Sequence, residues 1–278
     1  MIVSRHCRLL VAILSLSAFL MLAGCSKDSP TPVLRLATTT STRDSGLLDR
    51  LLPAFESKHD CRVDVVAVGT GAALQLGEQG DADVLIVHAR EAEQAFMRAG
   101  HGTRHEEFMV NHFAVLGPAD DPAGIEDRSV EEALQRIVAS DEPFFSRGDN
   151  SGTHQREELL WERVEGRPIF QQYLQTGRGM GPTLIMANEK QGYVLTDMGT
   201  YLKFKYKIDL IPLVEGGEKL RNPYAVITVN PAKSEMINGS LAAALLDYLI
   251  STDAQQTIDD YRLSGQQLFR ATRLQESE

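Results

Sequence analysis

Between residues 33 and 98, three apolar strand patterns alternate with three helical patterns, and this alternation constrains the fold more than any other feature. Val33 to Ala37 is a short apolar run, Arg62 to Val68 ("RVDVVAV") alternates, and Asp83 to Val87 ("DVLIV") is apolar again. Leu47, Leu48, Leu51, Leu52 and Phe55 follow the first run at helical spacing, with Asp44 and Ser45 as cap candidates. Helices are also expected over 72–79 and 91–98. Strands alternating with helices require a mostly parallel sheet with helices on its faces, an α/β fold.

The pattern then changes. "HFAVLGP" (112–118) reads as a strand running into a turn. A second α/β set follows: helices over 129–139, 151–164 and 182–190, and strands near Phe144, at "GYVLT" and over 210–214. "NPYAVITVNP" (222–231) then resembles the earlier strand, and helices over 241–251 and 253–261 close the chain. Two apolar strands bracketing an inserted unit predict two lobes and two crossings between them. One lobe is expected to comprise 33–113 and 225–278, and the inserted lobe 114–224.

The first 24 residues read as an address rather than as fold. Arg5 and Arg8 precede an apolar run, Leu9 to Leu22, that is shorter than the roughly 20 residues a spanning helix needs. "LAGC" then places small residues before Cys25, the pattern of a bacterial lipobox. Residues 1–24 are therefore expected to be a lipoprotein signal peptide, Cys25 a lipidated anchor to the membrane, and 25–32 a tether. The expected location is periplasmic or at the cell surface.

Charge and cysteines exclude several classes. Without Arg5 and Arg8 the chain has 26 basic against 38 acidic side chains, a formal charge of −12. That argues against nucleic acid as a partner. It also means that any bound anion must be drawn in by local donors. Of three cysteines only Cys61 remains in the body of the chain, so no internal disulfide is expected.

Three segments share one design, in which a strand end meets small hydroxyl residues and glycines before a helix. They are "TTTST" (38–42), "VGTGAAL" (68–74) and "SRGDNSGTHQREELL" (146–160). A helix start offers unpaired N–H groups and the positive end of a dipole, and glycine lets donors approach closely. Each segment alone is equally well read as ordinary capping. Arg147 stands just before the third helix, where its guanidinium can fork onto an oxyanion or pair with Asp149 or Glu157. "VGTGAAL" lacks the third glycine of a dinucleotide loop. His101 and His105 are four apart, but no further metal ligand is obvious. No G-x-S-x-G, H-E-x-x-H or G-x-x-x-x-G-K occurs, and Ser151 and His154 are too local for a hydrolase pair. A binding protein is expected rather than an enzyme, with a binder of another small anion or of an amino acid, or an exported hydrolase, as alternatives.

"LATTTSTRDSGLLDRLLPAFE", "VGTGAAL", "SRGDNSGTHQRE" and "MANEKQGYVLTDMGTYL" resemble, in order, the tungstate-binding periplasmic component of bacterial ABC transporters. The resemblance covers nearly the whole chain beyond the signal peptide. It implies a two-lobed type II periplasmic-binding-protein fold, each lobe a sheet with flanking helices, closing on tungstate or molybdate in the cleft. It implies a permease and a cytoplasmic ATPase as partners, a monomer, and no cofactor or bound metal cation. The implied ligand groups are Thr39, Thr40, Ser41, Thr70 and Gly71 from the first lobe, and Arg147, Ser151, Gly152 and Thr153 from the second. Met198 stands where the family is expected to carry a basic residue, which bears on a salt bridge more than on the ligand loops.

Overall fold

The computed structural model describes residues 31–164 and 170–274. The expected signal peptide, Cys25 and most of the tether lie outside them. No helix among the described residues is long and apolar enough to cross a membrane.

The expected alternation forms a sheet. Strands β1 (Val33–Thr39), β2 (Arg62–Val68) and β3 (Val84–Val87) are parallel, with β1 between the other two. Helices Leu48–His59, Thr70–Gln79 and Arg90–Arg98 follow them in turn. Strand β4 (Gly102–Gly117) is far longer than the expected run at 112–118. The second set supplies β5 (Phe144–Ser146), β6 (Tyr173–Gln175), β7 (Tyr193–Asp197) and β8 (Ile211–Glu215). Strand β9 (Arg221–Val229) returns to lie beside β3 and β4, antiparallel to both. A small hairpin, β10 (Arg262–Leu263) with β11 (Gln266–Gln267), and β12 (Arg270–Ala271) end the described chain. The main strands run in the order β2-β1-β3-β9-β4-β7-β5-β6, with β8 and β12 also on β4.

Strand β4 therefore serves two groups of strands. Its residues Gly102 to His112 pair with β9, and Phe113 to Gly117 pair with β7 and β8. The central strands of each group are buried on both faces, as strands covered by helices on either side must be, while the edge strands β2 and β6 are partly exposed. Side chains alternate across a strand: Leu34 and Leu36 of β1 enter one core while Ala37 enters another. In the second group Val115 and Leu195 point into one core, and Ala114, Leu116 and Val194 into the opposite one. Trp161, Phe144 and Tyr173 form an aromatic cluster beneath the second group.

The structure departs from the sequence reading at three further places. Asp44 and Ser45 do not cap the helix Leu48–His59, because Thr40–Asp44 forms a short helix of its own with Thr39 as its cap. Asp44 pairs instead with Arg43 and Lys203. The segment around His105, for which no strand was expected, is strand, because β9 offers it a full antiparallel partner. His105 Nε2 lies 2.9 Å from Glu93 Oε2, and no group of three or more His, Cys, Asp or Glu among the described residues could hold a metal. A helix, Met198–Phe204, follows β7 directly. Met198 is half-buried and packs against the cores of both groups.

Candidate functional site

The hydroxyl run after β1 divides its labour. Thr38 Oγ1 donates to the Ile86 carbonyl of β3 at 2.9 Å, locking the strand end. Thr39 Oγ1 accepts the Thr42 amide at 3.3 Å and bonds the Thr42 and Ser41 hydroxyls at 2.7 and 3.1 Å. Ser45 Oγ donates to the Thr42 carbonyl. Thr38, Thr39 and Thr42 are thus spent on structure, while Thr40 stays exposed and Ser41 half-exposed.

The loop before helix Gly152–Glu162 is held by its own side chains. Ser151 Oγ caps the helix by accepting the His154 amide at 3.4 Å. His154 Nδ1 accepts the Asn150 amide at 3.0 Å, so the imidazole pins the loop rather than activating Ser151. Gly148 and Asn150 both have positive φ, at 61° and 57°, the left-handed region in which Gly and Asn are the least strained residues. Asp149 Oδ1 accepts the Ser151 amide at 3.1 Å, and its Oδ2 accepts from Arg147 Nη2 and Nε at 2.5 and 3.2 Å. Burial opposes charge on Asp149, but the Ser151 and Arg147 bonds outweigh it and hold the carboxyl below its usual value. The guanidinium is thereby aimed, and its Nη1 has no protein partner among the described residues.

These two loops face one cavity of about 300 Å³ between the two groups of strands. Its wall includes Thr39, Thr40 and Ser41 from the first loop and Thr70 from the second. Arg147, Ser151, Gly152 and Thr153 come from the other side. Eight of the nine expected ligand residues therefore line one space. Gly71 does not: it is exposed on the second residue of its helix, and Gly69 lies in the wall beside Thr70 instead. Helix starts at Thr40, Thr70 and Gly152 all open onto the cavity.

Other residues of the wall escaped the sequence reading. The start of helix Met180–Glu189 brings Gly179 and Gly181, a fourth strand-loop-helix junction whose signal was the "GRGMGPT" glycine run. Asp197 caps helix Met198–Phe204, accepting the Thr200 amide at 2.9 Å and its hydroxyl at 2.7 Å. Lys203 reaches across to Asp44 at 3.2 Å, joining the two sides at the rim. His88, just after β3, also lines the cavity.

His88 belongs to a buried polar cluster behind the cavity. Its Nδ1 lies 3.0 Å from Asn222 Oδ1, and its ring stacks on Tyr224. Asn222 Nδ2 donates to Asn111 Oδ1 at 2.7 Å, so Asn222 Oδ1 is an acceptor and His88 Nδ1 carries the proton. Burial pushes His88 below its ordinary pKa, against the pull of Asp197 and Asn222. Both Asn111 and Asn222 also donate to the Tyr224 hydroxyl at 3.3 Å. Burial pushes the Tyr224 phenol up, so it stays a neutral donor, with Ser41 as a further partner.

The arrangement offers many donors and few free acceptors. The carboxylates in the wall, Asp44 and Asp197, are already engaged by Lys203 and Thr200. Such a site suits an anion that needs only to receive hydrogen bonds.

Comparisons with known proteins agree with this chemistry. The PBP superfamily domain matches residues 26–253. The chain is 45% identical over 258 residues to a putative ABC transporter anion-binding protein of Haloferax volcanii, covering 91% of this chain and 75% of that one. It is 44% identical over 255 residues to the tungstate-binding protein TupA of Peptoclostridium acidaminophilum, covering 87% and 89% respectively. The solved structure of the tungstate-binding protein TupA from Desulfovibrio alaskensis G20 superposes with a TM-score of 0.81 at 45% identity. That match covers 87% of this chain and 99% of the other.

Proposed function

Because the chain belongs to the PBP superfamily and is similar over most of its length to tungstate-binding proteins, we propose that it captures tungstate outside the cytoplasm and delivers it to an ABC importer. The observation that carries this reading is the convergence of donors from both groups of strands on one cavity. Thr40, Ser41 and Thr70 stand on one side, and Arg147 and the Ser151–Thr153 helix start on the other. Tungstate is fully deprotonated at neutral pH and needs donors only. Protonated phosphate also needs an acceptor, and the carboxylates here are engaged. Roughly six to eight bonds to a charged ligand, at about 1.5–3 kcal/mol each, exceed the cost of ordering it. Nanomolar affinity, about −12 kcal/mol, is within reach.

The protein acts in this reading as a carrier, without chemistry on its ligand, and as a monomer. Its partners are a membrane permease and the ATPase on the other side. Cys25 would hold it to the membrane through lipid, and Cys25→Ser should release it from the membrane fraction.

Calorimetric titration tests the ligand. Tungstate and molybdate, nearly equal in size and charge, should give tight one-to-one binding, and sulfate and phosphate should bind far more weakly in this cavity. No heat with any of the four would return the amino-acid binder and the hydrolase to consideration.

A further inference from the structure

Behind the first cavity lies a second, of about 260 Å³. His88 and Gly152 line both, so they form the wall between the chambers. A Cβ on Gly152 would stand 3.5 Å from Thr70 Oγ1 and 3.6 Å from His88 Cε1. The contact of this glycine with the opposite loop therefore divides the space between the two groups of strands.

The second chamber is basic in a chain that is acidic as a whole. Five cationic side chains line it, Arg90, Arg156, Arg163, Lys219 and Arg221, against two carboxylates, Glu91 and Glu218. Three of the cations have carboxylate partners: Arg90 with Glu107, Lys219 with Glu131, and Arg221 with Glu218. Arg156 and Arg163 have no carboxylate within ion-pair distance among the described residues, although Glu91 is near enough to act on Arg156. Arg156 is half-buried over the Phe113 ring, its carbon centre 5.8 Å from the centroid. Among the described residues its guanidinium makes one hydrogen bond, from Nη2 to the Arg221 carbonyl at 2.6 Å. A guanidinium carries five N–H donors, so most of this one remains unspent beside a second arginine.

We propose that this chamber is a second anion site, taking a phosphate-type dianion between Arg156 and Arg163. Two guanidinium forks meet the oxygens of such an ion. The chamber also has what the first lacks. Glu91, which lines the chamber and faces Arg156 without a close ion pair, can accept a hydrogen bond from the P–OH of hydrogen phosphate. The same phosphate group could arrive as the free ion or as a monoester. Since Arg90 and Glu91 stand on one side and helix Gly152–Glu162 on the other, the ion would bridge the two groups of strands.

The experiment is 31P line broadening of inorganic phosphate and, separately, of glycerol phosphate by the protein, with and without excess tungstate. Saturable broadening that persists in tungstate is expected, with the ratio of the two probes distinguishing free ion from ester. Arg163→Gln, at an exposed position, should weaken it at least about tenfold with an unchanged unfolding temperature. Arg156→Lys should also weaken it, because lysine keeps the charge and loses the fork. The proposal is overturned if broadening does not saturate, if tungstate abolishes it, or if Arg163→Gln leaves it unchanged. The Arg163→Gln arm needs no tungstate, so it stands apart from the proposed function.

Discussion

Asn222 Nδ2 donates to Asn111 Oδ1 at 2.7 Å where β4 and β9 pair, two residues before β4 passes to its second set of partners at Phe113. Both side chains are 1% exposed, and both also reach the Tyr224 hydroxyl. Buried amides left without partners are costly. Asn111→Leu should therefore destabilise the protein by about 1–3 kcal/mol, read as a lower urea midpoint. An unchanged midpoint would mean the cluster is hydrated rather than mutually satisfied.

Arg147→Lys should weaken tungstate binding by about 2–5 kcal/mol while the fold survives. Lysine keeps the charge but cannot bond Asp149 and an oxyanion in one plane. Calorimetry reads the loss, and a circular dichroism spectrum like that of the unaltered protein confirms the fold. Unchanged affinity would mean that Arg147 serves only the Asp149 ion pair.

Tungstate should draw the two groups of strands together, since donors on both sides gain bonds only when they converge. Small-angle scattering should show a smaller radius of gyration on loading, with a higher unfolding temperature. The bend is expected near Phe113, where β4 changes partners, and near Tyr224 on the neighbouring β9. Lys203→Ala removes the rim contact to Asp44, an exposed pair, and should cost less than about 1 kcal/mol of stability. A higher unfolding temperature without compaction would indicate a preformed site.

His105 offers a pH test. Its hydrogen bond to Glu93 raises its pKa, against the opposing effect of burial. A raised native value means that protonation stabilises the fold. The contribution is fully present below the unfolded-state pKa of about 6.5, and is lost as pH rises through the native value. His105→Gln should flatten the stability profile over that window in urea unfolding at a series of pH values. An identical slope in the variant would refute the coupling.

The parts of the site that sequence revealed are those built from adjacent residues. Ser151, Gly152 and Thr153 make a helix start whose chemistry is local, and their place in the cavity follows from the loop. "TTTST" was legible as a donor-rich loop, but not its division of labour. Thr38 bonds Ile86, 48 residues away, which no local pattern encodes. His88 and Lys203 were missed for the same reason, since each gains its role from a residue distant in the chain, Asn222 and Asp44, whereas Asp197 caps its own helix through Thr200, a local signal that went unread. The strand alternation gave the order of the main strands and helices. It did not give the length of β4, because "RHEEFMV" becomes strand only when β9 pairs with it.

The pairing of β3 with β9 also sets an order of assembly. Val84 to Val87 meet Ala225 to Thr228, so one edge of the first sheet stays open until four-fifths of the chain has been made. Contacts this distant in sequence form slowly. Until they form, "VLIV" is an unpaired apolar edge, the kind of strand that recruits other chains. A chain released early, anywhere short of β9, would therefore present an aggregation surface, although every residue of its first three strands is in place.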